Sequence, residues 1–385
     1  MNERKLCFDY NASTPVHADV LAAMNPYFSE IWGNPSSGHW QGREALAGIE
    51  LARIRTAALI GALPTEVFFV HGGTGGNNLA IKGMADAASF SCRRIIISSV
   101  EHSSVYAAAM SLRDRGFEII ELPVDTHGRV TPDSLAAALT PQTALVSIMM
   151  ANNEIGTVQP IRELARLANA CRVPFHCDAI QAAGKIPLLV DELGVDLLTI
   201  SGHKIYGPKG VGALYIRSGL KIAPQWHGGE QEHGLQPGTE NVPAIIGLGK
   251  ACELAREGLM ANARHLLRLR ERLEHKLAAE LPAAMITGHG GERLPNTLNI
   301  CIPGLPGEML AARLDQQGIA VSTGSACASS SGHPSRTLQA CGLSLMDALC
   351  SIRISLGLHN VEADIDVLIR ALFEIVSCEQ AMKSI

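Results

Sequence analysis

Asp196-Leu-Leu-Thr-Ile-Ser-Gly-His-Lys204, then the turn Ile205-Tyr-Gly-Pro-Lys-Gly210, then Val211-Gly-Ala-Leu-Tyr-Ile216: this stretch decides how the chain folds. Two short apolar runs without alternation flank a turn rich in glycine and proline, the pattern of strands buried on both faces. Working outward, similar runs lie at 66–70, 94–98, 118–122, 144–149 and 173–177. Helical stretches separate them at 77–88, 105–115 and 161–170, and Pro132, Asp133 and Leu135 open another. Strands alternating with helices predict an α/β unit on a mostly parallel seven-stranded sheet.

After Thr239 the pattern changes. Residues 244–280 read as one or two long amphipathic helices, with Leu266, Leu269, Leu273 and Leu277 at helical spacing. Strands at 297–302, 319–322 and 351–355, with helices at 307–316 and 362–373, predict a smaller C-terminal α/β domain. The expected partition is a large domain over 16–258 and a small domain made of 1–15 with 259–385.

Composition narrows the function. A chain of 385 residues exceeds what one core fills, and 47% hydrophobic with 18% charged residues argues for burial over disorder. A net charge of −5 argues against a dedicated nucleic-acid binder. No run approaches the roughly 18–20 apolar residues of a membrane span. Met1-Asn-Glu-Arg-Lys-Leu-Cys-Phe-Asp-Tyr10 has no apolar stretch behind its basic residues, so no secretory leader is expected. The ten cysteines form no disulfide framework and no C-x-x-C pair, so a reduced, cytoplasmic enzyme without a structural metal is expected.

Ligands of open α/β sheets bind beyond the carboxyl ends of the strands. There this sequence places His71-Gly-Gly-Thr-Gly-Gly-Asn77, Ser99-Val-Glu-His102, Ala151-Asn-Asn-Glu154, Asp178-Ala-Ile-Gln181 and Ser201-Gly-His-Lys204. Acid, amide, imidazole and ammonium groups thus converge with a glycine-rich turn. The turn suits a phosphate at a helix N-terminus, though a glycine turn also serves as a tight connection. Lys204 is a surface lysine or, beside apolar walls, a nucleophilic amine. Asp178 is a helix cap, an ion-pair member or the partner of a pyridinium nitrogen. Cys327, in the small polar segment 322–335, is an incidental cysteine or a reactive thiol on a mobile arm. Cys171, Cys301 and Cys350 stand in apolar surroundings and read as packing residues.

At these motifs the chain resembles a cysteine desulfurase of the NifS/IscS-like group, within the class V, fold-type I enzymes dependent on pyridoxal 5′-phosphate (PLP). The resemblance runs through Phe8-Asp-Tyr-Asn-Ala-Ser-Thr-Pro15, Gly33-Asn-Pro-Ser-Ser37, Glu101-His102, Ala151-Asn-Asn-Glu-Ile-Gly-Thr-Val-Gln-Pro160, His203-Lys-Ile-Tyr-Gly-Pro-Lys-Gly210, Gly238-Thr-Glu-Asn241, Gly324-Ser-Ala-Cys327 and Ser351-Ile-Arg-Ile-Ser-Leu-Gly357. It implies that Lys204 carries PLP as a Schiff base and that Asp178 bonds the ring nitrogen. It further implies that His102 stacks on the ring as an acid/base and that Gln181 faces the ring hydroxyl. Gly73, Thr74 and Gly75, with Ser201 and His203, would hold the phosphate, and Thr239 would complete that site from the other subunit of a homodimer. Asn153 and Arg353 would grip the carboxylate of the substrate, L-cysteine. Cys327, on a loop spanning about 322–336, would take the sulfur as a persulfide. Partners implied are an iron–sulfur scaffold, a tRNA-thiolation carrier or a DNA-phosphorothioation protein.

The chain departs from the family pattern at His71, at Gly75-Gly76, at Gln236-Pro237 and at Leu358. A selenocysteine lyase or class V aminotransferase is the neighbouring alternative. A sulfur-transfer scaffold that has lost PLP is an alternative of another class.

Overall fold

The computed structural model describes residues 5–288, 290–324 and 334–383. β1 (Leu6–Cys7) precedes the central sheet, which contains β2 (Val67–Val70), β3 (Arg94–Ser98), β4 (Glu118–Leu122), β5 (Thr143–Ser147), β6 (Phe175–Asp178), β7 (Leu197–Ser201) and β8 (Gly212–Ile216). Their order is β2-β8-β7-β6-β5-β3-β4. β8 pairs antiparallel with both neighbours, and the remaining ladders are parallel. Because β8 alone is reversed, β2, β3, β5, β6 and β7 all end on one edge. β5, β6, β7 and β8 are buried along their whole lengths, which is why they read as unbroken apolar runs.

Helices cover both faces. The helix Trp40–Ile60 ends at Gly61, whose φ of 68° lies in the left-handed region that glycine occupies without strain. The helix Gly72–Ala87 begins directly after β2, five residues earlier than expected from the sequence, so the glycine-rich stretch is the helix's own first turns. Its glycines lower helix propensity, but Gly73 and Gly76 are required by packing. A Cβ at Gly73 would overlap Ile180 Cδ1, and one at Gly76 would stand 2.7 Å from Thr199 Cγ2. The stretch expected at 105–115 is a shorter helix, Ser103–Met110, followed by a 3-10 turn at Arg113–Arg115.

The region 244–280 folds as one 39-residue helix, Val242–Glu280, whose first amides are capped by the Asn241 side chain with Pro243 in the opening turn. Val242 to Ala255 pack into the core on one face of the large sheet. Leu266, Leu269, Leu273 and Leu277 enter a second core with Phe8, Leu298, Ile300, Ile352, Ile354 and Leu368. That core lies on β9 (Met285–Thr287), β10 (Thr297–Cys301) and β12 (Ser351–Ser355), an antiparallel sheet ordered β12-β10-β9. β11 (Ile319–Ala320) pairs parallel with β1, which brings the start of the chain onto this second unit. Cys301 and Cys350 are buried as expected, but Cys171 is exposed where the helix Ile161–Ala170 ends. Its apolar sequence neighbours point inward from the preceding turns while the capping position faces solvent. No helix among the described residues is long and apolar enough to cross a membrane.

Candidate active site

The shared edge of β2, β3, β5, β6 and β7 opens into a cavity of about 250 Å³. Gly73 and Thr74 reach it from the helix after β2, His102 from beyond β3, Asn153 from beyond β5, Asp178 and Gln181 from β6, and Ser201, His203 and Lys204 from β7. Arg353 enters from β12 of the second unit. Of the residues singled out in the sequence, Gly75 is half-buried and does not line the cavity, whereas Thr239 is exposed on the surface loop ahead of the long helix. Cys327 lies outside the described residues.

Asp178 is 3% exposed and occupies the last position of β6. Its Oδ1 accepts from the Ile180 amide at 3.0 Å, and its Oδ2 accepts from Asn77 Nδ2 at 2.7 Å. Burial pushes its carboxyl pKa up, against the lowering pull of His102 and of those hydrogen bonds. A carboxylate in such a place gains most from a cation brought in beside it.

Asn77 does a second job. Its Nδ2 also donates to Ser104 Oγ at 2.8 Å, and Ser104 Oγ lies 2.8 Å from His102 Nδ1. The Ser104 amide donates to the same Nδ1 at 3.2 Å, so that nitrogen is an acceptor and the ring proton of neutral His102 falls on Nε2. Burial, the largest influence, lowers the His102 pKa and keeps the imidazole neutral. Asp178, Asn77, Ser104 and His102 thus form a continuous polar chain across three elements. Asn77 reads in the sequence as the end of a turn, and Ser104 carries no sequence signal beyond its place two residues after His102.

Lys204 Nζ donates to the backbone carbonyls of Asn11 and Ala12, whose segment crosses the cavity from the N-terminal end of the chain. Asn11 is itself fastened by Ser355 Oγ, Thr297 Oγ1, Asn296 and the Asn153 carbonyl. Arg353 is 1% exposed, yet its guanidinium bonds Asp9 Oδ1 at 2.6 Å and the Asn153 carbonyl at 3.2 Å while its Nε has no partner among the described residues. His203 is held neutral, its pKa brought down to about 4 by burial and then by Lys204, Lys209 and Lys185. Ser201 Oγ is buried without a hydrogen-bond partner among the described residues.

Chemically, the cavity sets an amine, a buried carboxyl, a neutral imidazole and unused donors around one space. An aldehyde would suit the amine, a basic ring nitrogen the carboxyl, and an anion the Ser201 hydroxyl near the start of the helix Gly72–Ala87. Among the described residues no cluster of His, Cys, Asp and Glu could hold a metal.

The family model "Aminotransferase class-V" matches residues 6–368, and the chain belongs to that family. A cysteine desulfurase, IscS, of Dictyoglomus turgidum (strain DSM 6724 / Z-1310) is 47% identical over 374 residues, 97% of this chain and 95% of that protein. A solved structure described as a NifS-like protein superposes with a TM-score of 0.91 at 38% identity, covering 97% of this chain and 100% of that one. Another, described as SspA in complex with cysteine, gives a TM-score of 0.82 at 36% identity over 93% of this chain and 100% of its own.

Proposed function

We propose that this chain is an L-cysteine desulfurase that binds PLP, releases L-alanine and retains the sulfur as a persulfide on Cys327. The observation that carries the reading is the meeting of Lys204, Asp178 and His102 around one cavity where Ser201 Oγ has no partner among the described residues. Those residues fit PLP: Lys204 for its aldehyde, Asp178 for its ring nitrogen, Gln181 for its ring hydroxyl, and Gly73, Thr74, Ser201 and His203 for its phosphate. Bound PLP supplies an electron sink conjugated to the amine of the substrate.

The protein's own groups do the rest. Asn153 and Arg353 orient the substrate carboxylate; the planar guanidinium fork suits a carboxylate once it swings from Asp9. Lys204 and His102, which line the same cavity, would hold and move protons there, His102 through Nε2. Cys327, as thiolate, attacks the substrate sulfur. The new S–S bond forms as the C–S bond breaks, the electron pair returns to the carbon skeleton, and protonation there yields alanine. The balance is L-cysteine plus enzyme thiol to L-alanine plus enzyme persulfide.

The exposed aromatic side chains of Phe28, Trp32 and Trp40 favour a homodimer, and the exposure of Thr239 away from the lining of its own cavity suits service to a partner subunit. The reading extends to a reduced cytoplasmic setting and to delivery of sulfur to an acceptor protein. It also keeps the two-domain division at 258/259, within the long helix where one core gives way to the other.

The test is Cys327→Ser. Alanine release from cysteine should fall by more than about 10²-fold, the scale expected on removing a nucleophile. Full retention of that activity would contradict the persulfide role and favour a lyase acting on selenocysteine.

A further inference from the structure

Behind the catalytic cavity lies a second one of about 410 Å³, walled by Leu254, Leu266, Leu356 and Leu358; Lys204 lines both. Lys185 lines the second cavity and is 8% exposed. Its Nζ donates to the Gln181 carbonyl at 2.8 Å and reaches the Gln181 side-chain Oε1 at 3.4 Å. Burial, and after it the charge of Lys204, bring its pKa down to about 7. Both of these bonds therefore go to one residue, which itself faces the catalytic cavity.

A lysine amine donates, so it calls for the carbonyl end of the Gln181 amide. On the other side, Gln181 Nε2 donates to the Asn11 carbonyl at 2.9 Å, an acceptor that calls for the amide nitrogen. Both neighbours demand the same orientation. One N–H of Gln181 is used on Asn11, and the second is left for the cavity.

We propose that Lys185 is a positioning residue of the cofactor site, holding the Gln181 side chain so that its N–H₂ end faces the cavity. This rests on the reading above that Gln181 meets the ring hydroxyl of PLP. With Lys185 in place, the ring oxygen is offered a donor. Without it, only the Asn11 carbonyl restrains the amide, and the turned orientation that presents its carbonyl and repels a phenolate becomes more populated. An oriented donor at that oxygen favours the more negative form of the bound cofactor. Its loss favours the protonated, yellow form and moves the midpoint of the colour change to higher pH. The other titratable groups facing Lys185 across the second cavity are Lys204, His17, Tyr10, Tyr206 and Glu257, of which Lys204 shares the Asn11 carbonyl with the Gln181 amide.

The test is a pH titration of the visible absorption of PLP-loaded wild type, Lys185→Met, Gln181→Ala and the double variant. Lys185→Met keeps the side-chain volume and removes a buried cation, a change that folded proteins tolerate, and Lys185→Leu provides a second version. Lys185→Met should raise the midpoint by about one pH unit in the wild-type background, the scale of a single hydrogen bond at a titrating group. Added to Gln181→Ala, it should shift the midpoint no further. The inference is overturned if Lys185→Met titrates with wild type, or if it shifts both backgrounds equally. A wild type that takes up no PLP would instead sink the cofactor reading itself. A yellow wild type with an indistinguishable Lys185→Met sinks only the role of Lys185.

Discussion

Glu101, next to His102 and wholly inside the protein, shows how tightly single residues are constrained at this site. Its Oε1 accepts from Ser98 Oγ at 2.6 Å and from the Met149 amide at 2.9 Å, which fixes the segment after β3 to the one after β5. Its Oε2 has no partner among the described residues. Burial raises its pKa to about 8, with Asp178 adding to the rise and the two hydrogen bonds opposing it. The unfolded chain gives up this proton near pH 4.3, the ordinary glutamate value. Between that point and about pH 8 the native state holds a proton that the unfolded state has lost. Stability therefore falls as pH rises across the window and levels off above it. Glu101→Gln copies the protonated acid and cannot titrate. Urea midpoints measured from about pH 5 to 8 should decline in wild type relative to Glu101→Gln. Parallel curves would show that Glu101 is ionised in the native protein.

At the scale of elements, the helix Gly72–Ala87 is placed by what it must avoid. Gly75 has only His71 Cβ within 4 Å of a would-be Cβ, at 3.6 Å, whereas Gly76 faces Thr199 Cγ2 at 2.7 Å. Gly75→Ala should then stabilise the protein by about 0.5–1 kcal/mol, the helix-propensity gain. Gly76→Ala makes the same gain but overpacks against β7, a cost of about 1–3 kcal/mol, so its net effect should be destabilising. Thermal unfolding of the two variants decides the matter: shifts of opposite sign are expected, and shifts of the same sign would mean that Thr199 yields freely. This helix is also where the sequence was least legible. Four glycines in its first turns speak against a helix by propensity; the approach of Ile180 and Thr199 explains Gly73 and Gly76, and a φ of 78° explains Gly72. The strands were legible because double-sided burial writes an unbroken apolar run, and boundaries slipped by a residue or two at β5 and β6, where turn residues continue the apolar character.

Across the whole molecule, the two cores meet along one continuous helix, and the cavity takes its walls from both: Asp178 and Lys204 from the large sheet, Arg353 from the small one. The strand-end residues of the site could be read from the sequence, since charged and imidazole groups after buried strands have few other uses. The groups that aim them could not. Asn77, Ser104 and Lys185 act through side chains of other elements, and Asn11 reaches the site by its backbone from 193 residues away. Thr239 does not line the cavity of its own chain, so the role proposed for it requires a partner subunit.

The account stands on Lys204 as the amine that captures the cofactor. Borohydride reduction of the PLP-loaded protein, followed by digestion and mass spectrometry, tests this directly. The phosphopyridoxyl mass should be found on the peptide containing Lys204, with Lys185 unmodified. Label on Lys185, or none on either peptide from protein incubated with PLP, would contradict it.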